Sequence, residues 1–63
     1  MLVTRVSSYS GIERTMDLDI TEEQLDAWKA GALAQNVFIH LNASQREFII
    51  SGITEDEWNE LFS

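Results

Sequence analysis

Arg14-Thr15-Met16-Asp17-Leu18-Asp19-Ile20-Thr21-Glu22-Glu23-Gln24-Leu25 contains the change of period that decides the fold. From Arg14 to Ile20 polar and apolar residues alternate. Met16, Leu18 and Ile20 fall on one side and Thr15, Asp17 and Asp19 on the other, as in a strand with one wet face. At Thr21 the period changes, because Thr21-Glu22-Glu23-Gln24 is a capping box: the threonine hydroxyl accepts from the Gln24 amide while the Gln24 side chain accepts from the Thr21 amide. Ile20 and Leu25 flank the box as a hydrophobic staple, so a helix starts here.

Upstream, Leu2 to Ser7 is rich in β-formers, and Ser8-Tyr9-Ser10-Gly11 has turn composition, which together predict a β-hairpin over 2–20. Two strands are marginal in water, so the face bearing Met16, Leu18 and Ile20 needs a cover from the rest of the chain. Downstream, Leu25, Trp28 and Ala32 share a helical stripe over 22–30, and Gly31 either ends that helix or bends it into a second one at 32–39. Asn42 caps a helix over 43–51 that ends at Gly52. With Gly52 left-handed, Ile53 would meet Phe48 in a Schellman motif. Thr54-Glu55-Asp56-Glu57 is a second capping box, opening a helix over 55–62 with Ile53 stapled onto Trp58 and Leu61 and Phe62 continuing the stripe. The fold class is therefore α+β: an N-terminal β-hairpin followed by three short helices packed on one face, the 32–39 segment being either separate or merged with its predecessor. Residues 1–63 form a single domain.

Several of these residues carry a resemblance. Gly31-Ala32-Leu33-Ala34-Gln35-Asn36-Val37-Phe38, then Leu41, Arg46-Glu47-Phe48-Ile49, Gly52-Ile53-Thr54 and Trp58 resemble a family of small proteins encoded by phages and other mobile elements. The likeness spans roughly residues 21–62 and departs at Ile39, where the family has proline. It implies a genomic context and a host-directed accessory role. It implies no catalytic residues.

Composition narrows the function classes. A 63-residue chain that is 44% apolar and has no cysteine can fold, but without disulfides or thiolate metal sites to staple it. No apolar run approaches the ~18 residues of a bilayer span, and Met1-Leu2-Val3-Thr4-Arg5 lacks the regions of a signal peptide, so the expectation is a cytoplasmic protein with no membrane partner. Eleven acidic against four basic residues leave a net charge of −7, which repels nucleic acid. Arg5, Arg14, Lys29 and Arg46 are dispersed. An acidic surface can instead attract a basic groove on another protein, including one that normally holds nucleic acid.

Catalytic and metal chemistry find little footing. Asp17-Leu18-Asp19-Ile20-Thr21 matches the Asp-x-Asp-x-Thr string of haloacid-dehalogenase-type phosphatases, but that reaction needs a parallel sheet and a far longer chain, and a half-exposed strand generates the same alternation. As a calcium loop the segment fails, with Glu22 at the sixth position and Trp28 at the twelfth. His40 is the sole histidine and has only Ser44 as a nearby hydroxyl, which reads as a loop or helix-end residue. The three glycines are isolated, so no phosphate loop exists. No catalytic residue, cofactor or metal is assigned, and an enzyme is the least supported class.

Trp28 and Trp58 lie on apolar stripes and read first as core, with an interface as the rival reading. Glu22, Glu23, Glu55, Asp56 and Glu57 lie in first helical turns, where the macrodipole favours carboxylates. Asp17, Asp19 and Asp26, joined by Glu22 and Glu23, form the candidate partner-binding surface, with Tyr9 at the hairpin tip added to it. The expected partner is a host protein with a basic surface. The expectation from a different class is a structural protein that self-associates weakly through open hairpin edges.

Overall fold

The computed structural model describes residues 1–62; Ser63, the last residue of the expected domain, lies outside them. The elements run β1 (Leu2–Val6), β2 (Glu13–Asp17), α1 (Glu22–Lys29), α2 (Ala34–Val37), α3 (Ala43–Ser51) and α4 (Glu55–Leu61). The chain is α+β, a two-stranded antiparallel hairpin followed by helices. No helix among the described residues is long and apolar enough to cross a membrane.

The hairpin register pairs Leu2 with Asp17, Val3 with Met16, Thr4 with Thr15, Arg5 with Arg14 and Val6 with Glu13. β2 ends at Asp17 and not at Ile20: Met1 and Leu18 still exchange two bonds, Leu18 N–H to the Met1 carbonyl at 2.9 Å and the Met1 amine to the Leu18 carbonyl at 2.7 Å, but Ile20 N–H then turns back onto the Leu18 carbonyl at 2.9 Å and leaves the ladder. The alternation of the sequence nonetheless persists past the ladder, and Leu18 and Ile20 are both buried. The turn is closed by Ser7 N–H to the Ile12 carbonyl and Gly11 N–H to the Ser7 carbonyl, both 2.9 Å. The Ser7 hydroxyl accepts from the amides of Tyr9 and Ser10.

All three expected side-chain caps form. Thr21, Asn42 and Thr54 each accept from the amide three residues on, and Gln24, Gln45 and Glu57 return the bond. α2 is a separate single turn without a side-chain cap. It does not continue α1, because the Ala30 amide closes α1 and Gly31 then takes φ +116°. α3 ends at left-handed Gly52, but by the simpler αL bond from Gly52 N–H to the Phe48 carbonyl at 2.8 Å. The expected Schellman closure is absent because Ile53 N–H donates to the Ser51 hydroxyl instead.

The core is one apolar cluster of Val3, Leu18, Ile20, Phe38, Leu41, Phe48 and Ile49. Leu25 and Trp28 of α1 pack against it from the outside, Trp28 standing 6.5 Å ring to ring from Phe38. The Ile20–Leu25 staple thus joins the cap of α1 to the core. Trp58 departs from its core reading: it is 44% exposed, because α4 follows α3 at the far side of Gly52 and turns its stripe away from the cluster.

Toward its turn the hairpin changes character. Val3 is followed on the inward face by Arg5 and Ser7, and Met16 is preceded by Arg14, so half of the covered face is polar. Arg5 donates to the Ile50 carbonyl at 3.2 Å and the Ser8 amide to the Ser51 carbonyl at 2.9 Å, which satisfies carbonyls that the C-terminus of α3 would otherwise leave unpaired. The helix end is pressed so close that a Cβ on Gly52 would lie 2.4 Å from the Val6 carbonyl oxygen.

Candidate functional site

Asp17 closes β2, Asp19 sits in the bend after it, and Glu22, Glu23 and Asp26 project from α1. All five are exposed. Asp26 lies four residues from Glu22 and three from Glu23, so the three carboxylates share one helix face. Such like-charge neighbours destabilise a helix slightly. The first-turn dipole offsets this for Glu22 and Glu23 but reaches Asp26 less. Asp17 receives the Met1 amine at 3.2 Å. Among the described residues, Asp19, Glu22, Glu23 and Asp26 form no ion pair.

The four cations do not neutralise this corner. Arg5 is turned to the Ile50 carbonyl, and Arg46 donates to the carbonyls of Leu41 at 2.7 Å and Phe38 at 3.4 Å. Arg14 faces Glu57 at 3.1 Å, an ionic contact whose N–H is not aligned for a hydrogen bond. Lys29 ends α1. The arginines, dispersed along the sequence, are thus engaged with backbone and a buried acid.

Tyr9 does not join the carboxylates. It is half-exposed in the turn, and the length of β2, about 13 Å at the rise of a strand, separates that turn from Asp17. His40 lies exposed in the turn between α2 and α3, with Nε2 against the Asp19 carbonyl oxygen, where it ties the corner to the helices. Among the described residues no group of three or more His, Cys, Asp or Glu is placed to hold a metal ion.

Two features were not foreseen. The first is a buried polar cluster beneath the hairpin turn. Glu57, only 5% exposed, accepts from the Ser10 hydroxyl, from the Thr54 amide at 3.3 Å, and faces Arg14. Its carboxyl is lowered from 4.5 to about 2, chiefly by the Ser10 hydroxyl, against the opposing effect of burial and with help from Ser7, the Thr54 amide and Arg14. A first-turn acid expected to serve only its own helix therefore docks α4 onto the hairpin. No local signal links Ser10 or Arg14 to Glu57, more than forty residues away.

The second is an open groove of about 320 Å³ between α3 and α4. Ile53 and Trp58 provide its apolar wall and Glu47 and Glu55 part of its rim. The staple at Ile53 and Trp58 marked this pairing in the sequence but not that it would stay open.

Comparison with protein-family models, curated proteins and solved structures returned no match.

Proposed function

We propose that this chain is a host-directed accessory protein of a phage or mobile element, acting in the host cytoplasm by binding a host protein through the Asp17, Asp19, Glu22, Glu23 and Asp26 corner. The observation that carries the reading is the separation of charge: five exposed carboxylates within ten residues, while three of the four cations are turned inward. Such a surface attracts a basic groove on a partner and raises the encounter rate. In its sharpest form the partner is a nucleic-acid-binding enzyme whose groove the corner occupies in place of the phosphate backbone.

The test compares proteins retained from bacterial lysate by the wild type and by the Asp17→Asn, Asp19→Asn, Glu22→Gln, Glu23→Gln, Asp26→Asn variant. Retention is expected to be lost in the variant, in about 0.5 M salt, where screening acts over a few ångströms, and on adding duplex DNA. Equal retention by the variant, or binding indifferent to salt, rules the reading out.

Self-association has one observation in its favour: among the described residues the sheet has two strands, and the outer edge of β2 pairs with no other strand. Light scattering at micromolar concentration separates the two readings.

A further inference from the structure

The groove between α3 and α4 continues into the exposed stripe of α4. Trp58, Leu61 and Phe62 are 44%, 42% and 71% exposed, and the Phe62 ring meets Trp58 edge-on with centroids 4.8 Å apart. This helix is thus held to the fold through Glu57 and Ile53 while its large apolar side chains face outward. Paired aromatics beside an apolar cleft are the composition of an interface centre, where tryptophan anchors dominate binding.

The charge around the face selects what can cover it. Glu47 and Glu55 line the groove and Asp56 is exposed on the first turn of α4. The nearest arginine in sequence, Arg46, is held by the Phe38 and Leu41 carbonyls, and Arg14 by Glu57. A second copy of this chain is a poor occupant. A two-fold contact would set these carboxylates against themselves. Among the described residues a copy's three arginines are likewise engaged, which leaves Lys29 on α1 as its remaining side-chain cation.

We infer that this face docks an amphipathic helix of another protein, bearing apolar anchors along one stripe and Lys or Arg beside them. The anchors enter the groove at Ile53 and Trp58 and lie against Leu61 and Phe62, and the cations meet Glu47, Glu55 and Asp56. A cleft between two helices suits a helix laid into it, read through residues at i, i+3 or i+4 and i+7. The face shares no residue with the carboxylate corner, so it stands whether or not the corner binds a partner.

The probe is a synthetic peptide of about 16 residues, four helical turns, with Leu on one stripe and Lys beside it. Its controls replace every Lys by Glu or every Leu by Ser. Binding is followed by backbone amide shifts of the full chain. The Leu/Lys peptide is expected to shift residues 43–62, and both controls to bind at least tenfold more weakly. Trp58→Ala and Phe62→Ala should weaken it by a similar factor, with the thermal midpoint as the check that the fold survives. Should Trp58→Ala unfold the chain, Glu55→Gln with Asp56→Asn on the exposed rim carries the same test with an expected loss of several-fold. The inference is overturned if the shifts fall on residues 17–26 instead, which would credit the corner alone, or if either control binds as tightly. It is equally overturned if sedimentation finds a dimer that Trp58→Ala dissolves, since a second copy would then be the occupant.

Discussion

At the open end of the hairpin Val3 and Met16 pair, and Val3, Leu18 and Ile20 join one apolar cluster with Phe38, Leu41, Phe48 and Ile49, against which Met16 packs. At the turn end, Arg14, Ser7 and Ser10 meet Glu57, and the helix that docks there leaves its aromatic residues in water. Apolar burial is non-directional and contributes most of the folding free energy. A buried ionic cluster contributes little net stability, because desolvation offsets its attraction, yet its bonds fix geometry. One end therefore holds the chain folded and the other determines where α4 sits.

The largest expected effect comes from breaking the apolar end. Phe48 is fully buried, so Phe48→Ala should lose about 3–5 kcal/mol, close to the whole stability of so small a domain. A flat far-ultraviolet melting curve at 25 °C is the expected sign. If the variant melts cooperatively near the wild-type midpoint, the core is not where the stability lies.

Gly52→Ala attacks the joint between the ends. At φ +77° an alanine would cost about 1–2 kcal/mol from backbone strain alone, and its Cβ meets the Val6 carbonyl at 2.4 Å, so the loss in urea unfolding should exceed that figure. Gly31→Ala is the control, since its φ of +116° meets open space and only the strain applies.

At the polar end, pH separates the two chemistries. Glu57 holds its proton less tightly when folded, at about 2 against the ordinary 4.5. Its contribution is therefore fully present above about pH 4.5 and lost as pH falls toward about 2. Glu57→Gln should flatten that part of the stability profile while moving the neutral-pH midpoint less than Phe48→Ala does. In the wild type, amide shifts of residues 55–62 should move in acid before those around Phe38. Simultaneous movement of both sets would show that the ends are not separable.

The smallest effects concern the caps. Thr21→Ala and Thr54→Ala should each lose about 1 kcal/mol, but the first should lower the global midpoint, through a helix stapled to the core, and the second should mainly raise hydrogen exchange in α4.

What could be read in the sequence were bonds closed within a few residues. The boxes at Thr21, Asn42 and Thr54 and the left-handed Gly52 are determined by neighbours three or four positions away, so pattern alone located them. Alternation runs to Ile20, whereas the strand ends at Asp17 and its last exchange is between Met1 and Leu18, because alternation does not encode where the backbone turns back on itself, as Ile20 N–H does onto the Leu18 carbonyl. The five carboxylates are grouped by the sequence because all lie in one short stretch, whereas the distance of Tyr9 from them depends on the hairpin register, which puts it at the opposite end. Trp58 carries a helical stripe like that of Trp28, and a stripe does not say whether anything opposes it.

The bond between Ser10 and Glu57 spans 47 residues, and Arg14 waits for the same partner. On a ribosome adding ~5–20 residues each second, the hairpin turn is made roughly 2 to 9 s before the carboxylate that receives it. Through that interval the polar end of the hairpin lacks its partner, while Phe38, Leu41, Phe48 and Ile49, which cover the apolar end, are all made before Glu57. The apolar end can therefore close as soon as Phe48 and Ile49 are available, and the docking of α4 follows it in time.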